Sequence, residues 1–499
     1  MSYTPSGQTS IDAGHKKSQT ASVFHEAIVI VVGLGTSGLA AAKALTRVGA
    51  HVIGIEENHQ AFRTAKLQGV NARCANPEQM AQIITNEPSI DYVVISPGIP
   101  SHHPVFDAAR IRGVELIGEV ELAWRLQQES EHHDIPWLCV TGTNGKTTTV
   151  GLAVSMARAA GLNAVAVGNI GKPVVEAIGQ AHADVFVVEL SSFQLHTVTT
   201  MAPTASICLN IAEDHLDWHG SSLAYARDKA QIYERTQKFC IYNKEEPATV
   251  RMVEDAEVVE GARAVGIRLG IPAISEIGIV DDVIVDRAFI EDRERQAEEL
   301  ATFDDLVHLG QPLPALLIDI LAAAALVRAL DVAPSAISQG IRDFRMAAHR
   351  RALVGQARDL TWIDDSKATN THAAYSSLKN MPKKSVIWIV GGDAKDQDFH
   401  QLVTDVAPIV RGAVVIGKDQ TALRHAFEQC APDIPRVHIR PLDPDETLET
   451  LMTEVVHEAV ALSVPGNTVI LAPACASWDQ FDNYAQRGDL FAQVVTDIR

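Results

Sequence analysis

Short apolar runs recur along the chain, each closing on small or polar residues. Ile28–Val32 is the first, and it ends in glycines. His51–Ile55, Tyr92–Ile95, Trp137–Thr141, Val185–Leu190, Ala205–Asn210, Ser385–Val390, Gly412–Ile416 and Thr468–Ala472 follow. Between most of them lie amphipathic stretches such as Leu39–Val48 and Thr148–Ala160. Continuous apolar runs alternating with helical periodicity predict parallel strands covered on both faces, hence doubly wound α/β sheets. There are too many strands for one sheet.

The pattern breaks near Leu126–Asp134, where Gln, Glu and His replace the apolar positions. It breaks again near Arg345–Arg351, after the helical stretches Leu316–Leu330 and Pro334–Arg342. These breaks divide the chain into domains at 25–126, 127–345 and 346–499, behind a Ser/Thr/Gln/Gly-rich disordered tail, residues 1–24. Glu245–Leu309 reads as a peripheral strand-rich region, and the alternating charges of Glu291–Glu299 read as an exposed helical face.

Length and composition narrow the function. A chain of 499 residues needs two to four cores. A formal net charge of −20 argues against nucleic-acid binding, and an anionic nucleotide would need cations or metal concentrated locally. Six cysteines without CxxC spacing argue against a zinc knuckle or disulfide framework. No apolar run approaches the ~18–20 residues of a membrane span, and no apolar signal core opens the chain. The expectation is a soluble cytoplasmic protein without membrane or nucleic-acid partners.

The sharpest chemical motif is Thr141-Gly142-Thr143-Asn144-Gly145-Lys146-Thr147-Thr148, between a strand and a helix. Glycines let backbone N–H groups turn in on phosphate oxygens, Lys146 neutralises terminal phosphates, and the Thr147 hydroxyl suits Mg²⁺. Val140 stands where the full phosphate-loop pattern asks for glycine, so the loop is a shortened variant. Gly33-Leu34-Gly35-Thr36-Ser37-Gly38 with Glu56 reads either as a dinucleotide fingerprint or as a turn for close helix packing. Glu189, ending an apolar strand, reads as an oxygen ligand for Mg²⁺ or a solvent-facing acid. Glu213-Asp214-His215-Leu216-Asp217 crowds ligating types past another strand. Asp365–Asn370, Gly391–Lys395 and Ala472–Ser477 each follow a short strand, where α/β domains bind ligands. Cys475 reads as a small packing residue.

Together these segments resemble the Mur ligase family over Ile28 to Phe491. The resemblance is carried by TGTNGKT (141–147), GNIG (168–171), ELSSFQL (189–195), EDHLD (213–217), HR (349–350), DSKATN (365–370) and PACASWDQF (473–481). It implies a three-domain α/β protein: a Rossmann-like first domain for a uridine nucleotide, a central P-loop-type ATPase and a Rossmann-like third domain for an amino acid. It further implies an ATP-dependent ligase adding D-glutamate to UDP-N-acetylmuramoyl-L-alanine in peptidoglycan precursor synthesis, acting as a monomer. Carried over by motif, Thr36, Ser37 and Gly98 lie along the UDP moiety. Gly142, Thr143, Asn144, Gly145, Lys146, Thr147 and Thr148 cradle the ATP phosphates, with Arg350 and Asp365 completing that site. Thr147 and Glu189 hold one Mg²⁺ and His215 a second, beside Lys229, which matches a lysine that the family carbamylates. Lys146, His215 and Lys229 are the catalytic set. Asn169, Ser191, Lys367, Thr369, Lys395, Ser477 and Phe481 complete the substrate sites.

The chain departs from the family where an adenine-contacting HN..N segment reads Pro314–Asp319, with only Asp319 near the second Asn. It departs again at Glu56 and Asn58, where an Asp and a nearby Arg are usual. Sister ligases with another amino acid, and an NAD-dependent oxidoreductase built on the first glycine turn, are the competing readings.

Overall fold

The β1 run, Ile28–Val32, buries four of its five residues, as a strand covered on both faces must. The computed structural model describes residues 22–179, 182–309, 313–346, 348–394, 397–443 and 446–498, without the side chain of Asp217. Most of the expected tail lies outside them. Phe24 does not, and its ring is buried 5.0 Å from that of Tyr92, so the first domain begins earlier than residue 25. The chain separates into two compact units, dividing after Asp134.

In the first unit, β1 is joined by β2 (His51–Glu56), β3 (Ala72–Cys74), β4 (Tyr92–Ile95) and β5 (Glu115–Gly118), all parallel, in the order β3-β2-β1-β4-β5. Strand order reverses between β1 and β4, where loops leaving the strand ends open a crevice.

The second unit holds two sheets. The larger contains β6 (Trp137–Thr141), β7 (Ala164–Gly168), β8 (Val185–Glu189), β9 (Ala205–Cys208), β10 (Phe239–Asn243), β11 (Arg263–Ile267), β12 (Glu276–Val280), β13 (Val283–Asp286) and β14 (Glu298–Thr302). Their order is β14-β13-β12-β11-β10-β9-β6-β8-β7, with antiparallel pairing at β12, β13 and β14. The strand-rich stretch expected over 245–309 is this edge. The helical face expected at Glu291–Glu299 is instead turns leading into β14. Alternating charge reported exposure correctly but not period, and Glu298 is held at the sheet by Arg328, 2.7 Å away. Helix Pro314–Arg328 is apolar nearly all round and packs in the core against helix Lys146–Ala159.

The smaller sheet contains β15 (Ala352–Ala357), β16 (Leu360–Asp364), β17 (Val386–Gly391), β18 (Val410–Ile416), β19 (Arg436–His438) and β20 (Thr468–Leu471), in the order β15-β16-β20-β17-β18-β19. Because β16, β20 and β17 are parallel neighbours, the loops that follow them emerge side by side. Among the described residues, no single helix is long and apolar enough to cross a membrane.

Candidate active site

The loop after β6 turns through Gly142 (φ +149°) and Gly145 (φ +87°) into helix Lys146–Ala159. A side chain at Gly145 would be strained and would press a Cβ to 2.3 Å from Asp319 Oδ1. Neighbouring strand ends pin the loop. Asn210 accepts from Asn144 N at 2.9 Å and donates to Asn144 O at 3.2 Å, while the hydroxyls of Thr143 and Tyr225 meet at 2.9 Å. Lys146 Nζ folds back to donate to the carbonyls of Gly142 (2.6 Å) and Thr143 (3.0 Å). Burial lowers its pKa, and Arg350 adds to that. Val140 is enclosed inside β6, which explains why the glycine of a longer loop is not needed there. Thr148 is buried in the first turn of the helix.

β8 is the strand next to β6, so Glu189 at its end meets the loop. The carboxylate is 3% exposed. It accepts from Thr147 Oγ1 at 2.8 Å and from Asn169 Nδ2, after β7, at 2.9 Å. Arg350 donates to the same Thr147 hydroxyl at 2.7 Å. Two hard oxygen donors side by side, from Thr147 and Glu189, fit Mg²⁺. Among the described residues no group of three or more His, Cys, Asp or Glu side chains is arranged to hold a metal. His215 is exposed, left-handed (φ +54°), and its ring lies 4.7 Å from that of Phe193 in the ELSSFQL segment. Ser191 caps helix Ser192–Leu195, accepting from Gln194 N, so its hydroxyl already has a structural task.

Lys229 reaches the loop from beneath, on helix Ser222–Ala230. At 2% exposure its Nζ donates to Gly142 O (2.9 Å) and Thr141 Oγ1 (3.2 Å). Burial, with Lys146 nearby, brings its pKa down to about 7. Asp319 sits on the other side, 8% exposed, accepting from Thr149 Oγ1 at 3.2 Å. Burial raises it to about 8.

From the smaller sheet, Arg350 lies between two left-handed residues, His349 and Arg351. Asp365 accepts from Arg351 N at 3.1 Å, and burial raises its pKa to about 6. Lys367 lies 4.0 Å over the ring of Tyr484; burial, then Arg350, lower it to about 8. Thr369 lies in the same loop and Ser477 is buried just past β20. Lys395 lies outside the described residues. Phe481 is 4% exposed, packed in the core beneath the sheet. Tyr484, three residues on, presents its aromatic ring to Lys367. Sequence reading also missed Arg487, which is fully buried and donates to Ser366 Oγ, Ser366 O and Cys475 O, tying two ligand-edge loops together. It lies inside an ordinary amphipathic helix that carries no motif. Cys475 is buried, as its packing role requires.

In the first unit, Thr36 and Ser37 open helix Thr36–Arg47 after β1, and Gly98 lies in the turn after β4, so the three flank the crevice. Glu56 is buried at the end of β2. It accepts from the backbone N–H groups of Leu34 and Asn58, supporting the glycine turn. A Cβ at Gly38 would lie 1.8 Å from Gly33 O, so this glycine serves close helix packing.

Three family descriptions match the chain: a Mur ligase MurD-like N-terminal domain over residues 27–118, a Mur ligase middle domain over 140–268 and a Mur ligase glutamate ligase domain over 349–475. UDP-N-acetylmuramoylalanine--D-glutamate ligase of Streptomyces coelicolor is 44% identical over 476 residues, covering 94% of this chain and 98% of that protein. The Streptomyces avermitilis protein of the same name is 46% identical over 473 residues, covering 94% and 97%. Among solved structures, a pseudomurein peptide ligase type C from Methanothermus fervidus superposes with a TM-score of 0.57 at 16% identity, covering 95% of this chain and 100% of that one. Likeness at that identity speaks for the fold.

Proposed function

This chain belongs to the Mur ligase family, and from that premise we propose that it joins D-glutamate to UDP-N-acetylmuramoyl-L-alanine, releasing ADP and phosphate. The full-length likeness to relatives that carry this name supports the choice of amino acid. The domain boundaries fall after residues 126 and 345, the first domain takes in Phe24, and the protein is a cytoplasmic monomer.

A carboxylate resists amine attack because it is a poor electrophile. Phosphorylation by ATP makes it an acyl phosphate with a good leaving group, and the D-glutamate amine then displaces phosphate. The chain's part is alignment and charge neutralisation. Backbone N–H groups of residues 142–148 and the Lys146 ammonium hold the ATP phosphates, and Arg350 meets them from the third domain. Asp365 orients that side of the nucleotide. Thr147 and Glu189 would hold one Mg²⁺, and His215 with a carbamate on Lys229 would serve a second. Bound there, the metal would offset charge on the transferring phosphoryl group. Lys229 is suited to carbamylation because burial brings its pKa down to about 7, which favours the neutral amine that carbon dioxide needs. Thr36, Ser37 and Gly98 hold the UDP moiety, and Asn169 and Ser191 lie along the substrate. The D-glutamate dianion is oriented by Lys367, Thr369, Lys395 and Ser477, with Phe481 behind them and Tyr484 as an aromatic wall beside Lys367.

The observation that carries this reading is the junction at Thr147, where one hydroxyl joins the phosphate loop, the Glu189 carboxylate and Arg350. The test is phosphate release with UDP-N-acetylmuramoyl-L-alanine, ATP and single amino acids. Release should require D-glutamate. Equal release with L-lysine or meso-diaminopimelate, or none with any amino acid, overturns it.

A further inference from the structure

A polar chain that the reaction does not use runs through the middle domain, buried at Ser192 and His219 and partly exposed at Asp228 and His196. Ser192 Oγ lies 2.9 Å from His219 Nε2, and His219 Nδ1 lies 2.8 Å from Asp228 Oδ2. The other Asp228 oxygen lies 3.0 Å from His196 Nδ1. Neutral imidazoles satisfy every contact: each Nδ1–H donates to the Asp228 carboxylate, and His219 Nε2 accepts the Ser192 hydroxyl. The order Ser–His–Asp is that of a hydrolase, but Ser192 is 2% exposed and no scissile carbonyl could reach it.

What the four share is their place beside site residues. Ser192 follows Ser191 and stands three positions after Glu189. His219 is four positions after His215 and ends the helix that His215 caps. Asp228 immediately precedes Lys229. The helices involved, Ser192–Leu195, Leu216–His219 and Ser222–Ala230, are too short to hold themselves, so tertiary contacts must set their positions. Adjacent residues on a helix point about 100° apart. On helix Ser222–Ala230 the Asp228 side chain meets the two histidines while Lys229 meets the phosphate loop. Gripping Asp228 therefore fixes the rotation of the helix, and with it the height at which Lys229 stands.

We propose that Asp228 is a positioning residue: bridging His196 and His219, it holds the helix in the one rotation that presents Lys229 to the phosphate loop. This rests on the role given to Lys229 above. It is tested by a double-mutant cycle in the full-length protein, with folding checked by circular dichroism. Asp228→Ala should lower kcat about tenfold or more with the ATP KM within about twofold, since substrate binding is left alone. Asp228→Asn keeps an acceptor for His219 and, once part-exposed His196 takes its other neutral tautomer with Nδ1 accepting, an amide donor for His196, and should recover most of the loss. Asp228→Ala combined with Lys229→Ala should fall no further than Lys229→Ala alone, because both remove one arrangement. Losses that multiply, or no recovery with Asn, overturn the proposal. Lys229→Ala with wild-type kcat would overturn the reading of Lys229 itself, and the proposal with it. Should Asp228→Ala not fold, His196→Ala, which removes the more exposed arm of the grip, takes its place in the cycle.

Discussion

At the scale of single residues, the sequence names the chemistry better than the surroundings that tune it. Lys146, Thr147 and Glu189 stand out in sequence because their types at strand ends suit phosphate and metal chemistry, and in the fold Thr147 and Glu189 meet at 2.8 Å. Asp319 shows the opposite. In sequence it is only a carboxylate in a departed segment; in the fold it is buried under Gly145 and keeps its proton up to about 8. The unfolded chain releases that proton near pH 4, so between about 4 and 8 the folded state binds more protons and stability falls as pH rises. Asp319→Asn removes this titration. Its melting midpoint should stand a few degrees above the wild type at about pH 8, and the gain should shrink toward pH 5. Thermal melts at both pH values decide it, and parallel profiles would refute the burial argument. Phe481 and Tyr484 make the same point: two aromatics three positions apart look equivalent until one packs into the core and the other against Lys367.

At the scale of elements, strands were easier to read than their neighbours. β1, β4 and β6 lie where the apolar runs placed them, because a strand covered on both faces leaves a continuous run that helices rarely imitate. Helix–helix contacts carry no such signature. Gly340, in helix Pro334–Asp343, gives no warning in sequence, yet a Cβ there would lie 2.3 Å from Met156 Cα. Alanine's better helix propensity, worth about 1 kcal/mol, cannot offset a clash with backbone. Gly340→Ala should destabilise by about 1–3 kcal/mol in urea unfolding while the folded fraction keeps its kcat. A neutral or stabilising result would show that the two helices slide apart freely. The charged stretch at Glu291–Glu299 failed for a related reason: charge reports exposure, while backbone pairing with β13 places Glu298 on a strand.

At the scale of the whole molecule, a chain of net charge −20 gathers Lys146, Lys229, Arg350 and Lys367 in one region, near enough that Arg350 helps lower the pKa of Lys146 and Lys367, and Lys146 helps lower those of Lys229 and Lys367. Such a cluster is short of an anion, which a nucleotide triphosphate supplies. Arg350 ties this region to the third domain, and a charge-assisted hydrogen bond is worth about 1.5–3 kcal/mol. Arg350→Ala should therefore lower kcat/KM for ATP by roughly ten- to a hundredfold, and Lys, which lacks the forked geometry, should restore only part. Steady-state kinetics over a range of ATP concentrations measure this; an unchanged kcat/KM would remove Arg350 from the nucleotide site. The sequence alone determined the α/β class, the positions of the most continuously apolar strands, the phosphate loop and the family, because each rests on residues close together in the chain. Tertiary structure decided which residues meet. Strand order brought Glu189 beside Thr147, parallel pairing set three polar loops on one edge, and burial moved the pKa values of Lys229 and Asp319. Those outcomes depend on contacts between segments tens to hundreds of residues apart, and local pattern has no means of encoding distance through space.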